Sequence, residues 1–183
     1  NNKLDEMAEA GTLQEIITAY IQANVAWTFD TVADMKLATN LVNGSYARTL
    51  GYRTINDGGG ALYKITSTGT ANEMDVIAID NLYAVLVTDK VNLKQFGAYG
   101  DDSHNDSSVF TRCLDYAMTK HFEIFVPQGT YLLNPNIFQT TSILGTYNTL
   151  VIRGTGKRDQ SILKLNNTDE GQYFSNSTSK QLY

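Results

Sequence analysis

One cysteine, two prolines, two histidines and one tryptophan are all that 183 residues contain of those types. A lone Cys113 excludes a disulfide framework within the chain and any cysteine-based zinc site. Set at helical spacing among Phe110, Leu114 and Ala117, it reads as a small buried hydrophobe and not as a reactive thiol. Charge is scarce as well, at 18% of residues, where an average soluble domain carries about 25%. The 14 Lys and Arg and 19 Asp and Glu leave a net charge of −5 with no basic stripe, which argues against a nucleic-acid partner. No apolar run approaches the roughly 18 residues of a membrane span, the longest lying near 83–87, so no membrane partner is expected. A basic segment followed by an apolar one, the mark of a secretory signal, is also missing.

What is plentiful is neutral and polar: 21 Thr, 16 Asn, 14 Gly and 11 Tyr. Neutral hydrogen-bonding groups carried on β-formers suit an extended β surface, so the expected class is mainly β with short helices. At this length roughly 70% of the unfolded surface can be buried, enough for a core without covalent staples. The first residue is Asn1 rather than Met, so the expectation is a processed chain or an excerpt of a longer one.

Three stretches differ in pattern. Residues 1–27 read as helical, with a short segment over 4–10, a break at Gly11 and a capping box in Thr12-Leu13-Gln14-Glu15. Leu13, Ile16, Ile17, Tyr20 and Ile21 then form one face at 3.6 periodicity, and Asn24 extends the stripe. About three turns are marginal alone in water, so this face needs a partner. Docking on its own domain and assembly into a trimeric helical bundle both satisfy that need; two heptads do not choose between them.

Residues 28–90 open with a short helix capped by Asp30 or Thr31, with Val32, Met35 and Leu37 on its apolar side. Strand-like runs over 45–52, 61–66, 76–80 and 83–88 predict a small antiparallel β domain packed on that helix. Asp57-Gly58-Gly59-Gly60 joins two of them. It lacks the Lys-Ser/Thr of a nucleotide loop and precedes a strand, so a tight turn is the better reading.

From residue 91 to 183 a helix over 107–120, with Asp106 as its N-cap, presents Val109, Phe110, Cys113, Leu114, Ala117 and Met118 on one broad face. Short strands follow over 122–126, 130–133, 149–153 and 161–165. Apolar residues expected to point inward (Ile124, Val126; Leu150, Ile152; Ile162, Leu165) recur in the manner of stacked solenoid coils. The last coil has no obvious polar cap, so the stack is expected to continue past Tyr183.

These residues carry a resemblance. Leu93-Lys94-Gln95-Phe96-Gly97-Ala98-Tyr99-Gly100-Asp101, followed by Asp106-Ser107-Ser108-Val109-Phe110, resembles the opening of pectate-lyase-like right-handed β-helix proteins, where D-F-G-A-x-G-D precedes D-D-T-x-A-I and a capping helix. Phe125-Val126-Pro127-Gln128-Gly129-Thr130-Tyr131 is similar to the F-P-x-G-T-Y of a first coil there, and Leu150-Val151-Ile152-Arg153-Gly154-Thr155-Gly156 with Ser161-Ile162-Leu163 to the next coil. The upstream block, Thr31 to Lys36, Gly51-Tyr52 and Asp57 to Tyr63, resembles the N-terminal region of tail spikes and pre-neck appendage proteins of tailed bacteriophages.

The resemblance implies a homotrimer on the virion, extracellular when functional. Its N-terminal end would be held by other tail, neck or baseplate proteins, and its β-helix would engage host cell-wall or capsule polysaccharide. The implied division is a helical stalk over 1–27, a virion-proximal domain over 28–90, and a capping helix with the first β-helix coils over 91–183. The alternatives are the front part of a polysaccharide lyase or hydrolase, and a surface adhesin unrelated to phage. Such enzymes need paired carboxylates or a metal on later coils, so no catalytic, cofactor-binding or metal-binding residue is assigned here and no cofactor is expected. Of the polar candidates, Asp101 and Asp102 read as turn residues, Asp106 as a helix cap and His104 as solvated. The cluster lacks the alternating oxygen donors of a calcium loop. His121 is placed against the last helical carbonyls.

Overall fold

A computed structural model of the chain describes residues 3, 5–6, 11–13, 15–17, 20, 26–120, 123–135, 137, 150–156 and 160–166. The expectations for Ile21, Asn24, His121, Phe122 and most of 4–10, and for a stack running past 166, lie outside them. The chain divides into two compact units, Asn1–Asp89 with Lys94–Gly97, and Lys90–Leu93 with Ala98–Tyr183.

In the first unit residues 3, 5–6, 12–13, 15–17 and 20 are helical. The Glu15 amide donates to the Gly11 carbonyl at 3.2 Å, so Gly11, with φ +73°, sits at the N-cap and Thr12 is already inside the helix. The helical stretch does not reach Trp27. Ala26–Phe29 is strand β1, because it finds a parallel partner in β2 (Tyr46–Thr49) across the 16-residue crossover 30–45.

That crossover carries α1 (Val32–Lys36), capped by Thr31. The Thr31 hydroxyl accepts from the Asp34 amide at 3.2 Å, and the Asp34 carboxylate accepts from the Thr31 amide at 3.1 Å. With β3 (Leu62–Thr66), β4 (Val76–Ile79) and β5 (Leu82–Val87) the sheet order is β1-β2-β3-β5-β4. Only β2 to β5 form the antiparallel meander read from the sequence; the parallel edge β1 makes the sheet mixed. Alternation drives one face inward: Ala47, Tyr63, Ile65, Ile77, Ile79, Ala84 and Leu86 are buried with Val32 and Met35 of α1.

The second unit is built from repeating passes. β6 (Val91–Asn92), β8 (Ile124–Phe125) and β10 (Ile152–Arg153) form one parallel sheet, and β7 (Asp101–Asn105), β9 (Gly129–Leu133) and β11 (Ser161–Leu165) another. Each pass contributes one strand to each sheet, in register: Val91, Ile124 and Ile152 align, as do Asp101, Thr130 and Ile162. Between β7 and β8 lies α2 (Ser107–Lys120), whose Val109, Phe110, Cys113, Leu114, Ala117 and Met118 are all buried, packed on β6, β8 and β9.

Val126, Ile124, Tyr131 and Leu133 line the interior as well. Ile162 does not. It is 36% exposed, because the inward residues of β11 are Leu163, opposite Tyr131, and Leu165, opposite Leu133. Residues three apart on a strand face opposite sides, so Ile162 and Leu165 cannot share the core.

Candidate functional site

The polar residues singled out in the sequence converge on β7. All five of its side chains, Asp101 to Asn105, are exposed. Asp101 and Asp102 are therefore strand residues rather than turn residues, within an irregular strand. Asp101 pairs with Thr130 and Asn105 with Leu132, so four steps on β7 match two on β9 and the surplus bulges outward.

Asp101 organises the bulge. One carboxylate oxygen accepts from the amides of Ser103 and His104, each at 3.0 Å, and the other from His104 Nδ1 at 2.7 Å. The His104 amide, its imidazole and the Ser103 amide hold the Asp101 carboxyl well below the usual carboxylate range. His104 is thus not simply solvated. Its ring stacks on Tyr99 with centroids 3.8 Å apart and planes 9° from parallel. With Nδ1 tied to a carboxylate, the ring proton sits there and Nε2 is left as the acceptor.

The neighbouring acids are also engaged. Lys164 on β11 reaches Asp102 at 2.8 and 3.0 Å. Asp106 is buried, and its carboxylate accepts from the amides of Tyr99 at 2.7 Å and Gly100 at 2.9 Å. Its own carbonyl accepts the first bond of α2 from Phe110, so the N-cap position stands while the side chain serves the preceding loop. Asn105 takes the vacated duty, accepting from the Ser107 amide at 2.9 Å.

The second loop of interest, 57–60, lies in the first unit. Gly58 has φ +88°, and a Cβ on Gly59 would meet the Lys94 carbonyl oxygen at 2.4 Å. The tight-turn reading holds for a specific reason. The amides of Tyr52, Arg53, Thr54 and Gly59 all point at the Asp57 carboxylate, at 2.7 to 3.2 Å. Partial burial raises the Asp57 pKa, but those four donors outweigh it and hold the carboxyl below its ordinary range. The loop is an anion cradle that supplies its own anion.

Chemically, the β7 face offers a flat aromatic–imidazole stack ringed by amide and ammonium groups, a surface suited to hydroxyl-rich ligands. Its carboxylates are already committed to amides, a histidine or a lysine. Among the described residues no group of three or more His, Cys, Asp or Glu converges as a metal site would require. The Tyr99 stack and the Lys164 ion pair leave no pattern in the sequence. Five residues separate Tyr99 from His104 across an irregular bulge, and 62 separate Asp102 from Lys164.

Stacked parallel passes under a helix define a class of β architecture, and comparison with known proteins gives it a family. The model for "Rhamnogalacturonase A/epimerase, pectate lyase-like" matches residues 90–181, half of the chain, and the chain belongs to that family. No curated protein matches the sequence.

Among solved structures, tailspike protein gp49 from Acinetobacter baumannii bacteriophage Fri1, a capsular polysaccharide depolymerase, is similar at 18% identity and TM-score 0.55, over 71% of this chain and 23% of that one. The gp42 tailspike of Acinetobacter phage vb_AbaP_AS12 is similar at 17% identity and TM-score 0.53, over 78% and 24%. Pantoea stewartii WceF, a glycan biofilm modifying enzyme with a bacteriophage tailspike-like parallel beta-helix fold, gives 15% identity and TM-score 0.50, over 59% and 17%. At these identities the likeness is one of fold. The chain spans a quarter or less of the length of these three proteins. No described helix is long and apolar enough to cross a membrane.

Proposed function

We propose that the chain is the front section of a bacteriophage tail spike or appendage protein, and that its passes continue as a right-handed parallel β-helix that recognises host cell-surface polysaccharide. The observation that carries this reading is the in-register ladder β6-β8-β10 and β7-β9-β11, with α2 packed on β6, β8 and β9, within the stretch that matches the pectate-lyase-like family. In this reading 91–183 forms the first coils, 28–90 is the virion-proximal domain, and 1–27 assembles three copies. Other virion proteins hold the N-terminal end. The polar outer face, low in charge and rich in Thr, Asn and Tyr, supports a glycan-facing role, and three copies side by side add avidity for a repetitive polymer.

A second reading, that the full-length protein also cleaves its polymer, draws on the depolymerase named among the similar folds. One experiment addresses both. Full-length protein is incubated with isolated host-surface polysaccharide, and co-sedimentation and release of new sugar ends are measured. Binding without release supports attachment; binding with release adds the depolymerase; absence of binding to every surface polymer overturns the proposal. Gold-labelled antibody against residues 28–90 should mark the tail or neck of intact virions.

A further inference from the structure

Two surfaces of the first unit stand open together. The outer face of its sheet carries two rows aligned across the strands, Arg48–Leu62–Val87 and Tyr46–Lys64–Val85–Val76. Outward positions of a solvated antiparallel sheet are normally polar. Here most are apolar, and Leu62 and Val87 are 36% and 44% exposed. The two charges among them, Arg48 and Lys64, have no ion-pair partner among the described residues.

The second surface is the helical face near the N-terminus. Ile16, Ile17 and Tyr20 are 49%, 42% and 69% exposed, and beside them the Glu15 carboxylate has no partner among the described residues. An apolar stripe on so short a helix does not hold it folded unless something covers it.

The two surfaces match in size and in charge. A helix running from residue 12 to 20 is about 13 Å long at 1.5 Å per residue. Strands β2, β3, β5 and β4 side by side span about 14 Å at about 4.8 Å per step. Seating the stripe on the two rows brings Glu15 toward Arg48 and Lys64, an acid onto the two unpaired bases of that face.

In the single chain both surfaces are exposed at once, so the helix does not cover its own sheet. Each copy therefore offers one face to give and one to receive. We infer that the Ile16/Ile17/Tyr20 face of one copy docks on the outer β2-β3-β5-β4 face of a second copy. A contact between two different patches of identical chains is heterologous, and three such contacts close as a ring. This rests on the proposed assembly of three copies and specifies what the helix touches, namely a neighbour's sheet and not a neighbour's helix.

The test uses the full-length protein with Ile17→Cys and Val87→Cys, singly and together, oxidised and run without reductant; Cys113 is buried and stays silent. The double variant should give covalently linked chains up to the mass of the assembly, and each single variant should stay unlinked. A double variant that stays unlinked would overturn the contact. Covalent dimers from Ile17→Cys alone would establish a helix-to-helix bundle and overturn this contact while leaving the three-copy reading intact. A fast-migrating intrachain link would place the helix on its own sheet and overturn the contact in the same way. A monomeric mass by light scattering for the unaltered protein would overturn the assembly reading and this contact together. As a check that needs no cysteine, Glu15→Lys should lower the assembled fraction several-fold and Lys64→Glu in the same chain should restore it. A loss without restoration counts against the contact.

Discussion

Tyr63 in the first unit and Tyr131 in the second are both wholly buried, and burial pushes both phenols well above their ordinary range. Their hydroxyls fare differently. Tyr131 donates to the Pro127 carbonyl at 3.1 Å, while Tyr63 Oη has no hydrogen-bond partner of good geometry, although Thr49 lies beside it. The difference follows from the architecture. In a stack of parallel passes the strands bond to the passes above and below, and carbonyls at the corners are left over to receive a side chain. In a helix-on-sheet layer the interior is apolar and its backbone groups are spent on the ladder. The repeating unit satisfies a buried polar atom through its corners; the layered unit keeps its polar anchoring in loops, above all at Asp57.

The largest test of this contrast removes a rung of the repeating core. Ile124→Ala should cost about 3 kcal/mol, a buried aliphatic truncated between two strand neighbours, read by urea unfolding with far-UV circular dichroism. Trp27, the only tryptophan, lies in the first unit and reports on it separately by fluorescence. An equal shift of both signals would show that the units unfold as one.

Next in size, Asp57→Ala should cost about 2 kcal/mol in the fluorescence transition, since four amides lose a charged acceptor. The sign with pH is fixed by the lowered carboxyl. Its contribution is complete above the ordinary carboxylate value of about 3.9 and fades as pH falls below it, so the gap between variant and parent should narrow from about pH 4 downward.

Tyr131→Phe should cost about 1 kcal/mol for the lost hydroxyl bond, whereas Tyr63→Phe should cost nothing or stabilise slightly. Equal costs would break the contrast between the two units. Smallest of all, Lys164→Ala removes an exposed ion pair to Asp102 and should change stability by no more than about 0.5 kcal/mol, less still in high salt.

Much of this was legible in the sequence because it is periodic. The limits of α2 and β11 and the buried face around Cys113 follow from spacing alone. Expectations went astray where a long-range partner decides. Trp27 looks like the end of a helix until Ala47, twenty residues on, pairs with it. Asp106 looks like a side-chain cap until the Tyr99 and Gly100 amides, earlier in the chain, claim its carboxylate. Ile162 looks buried until the register with β9 sets the parity of the strand. Irregular backbone carries no period, which is why the Asp101–His104–Tyr99 arrangement left so little trace.

The corners of the second unit differ in length while its ladders do not. Between β8 and β9 the chain uses three residues, 126–128; between β10 and β11 it uses seven, 154–160; between β6 and β7, eight, 93–100. All three return to the same register, and the tightest return is enforced at Gly129, where a Cβ would meet the Gly100 carbonyl oxygen at 2.5 Å. Residues can therefore be inserted or lost at a corner without a slip elsewhere. For a protein whose target polymer changes from host to host, the constant frame and the variable surface are physically separate, so new surface chemistry can be tried one corner at a time.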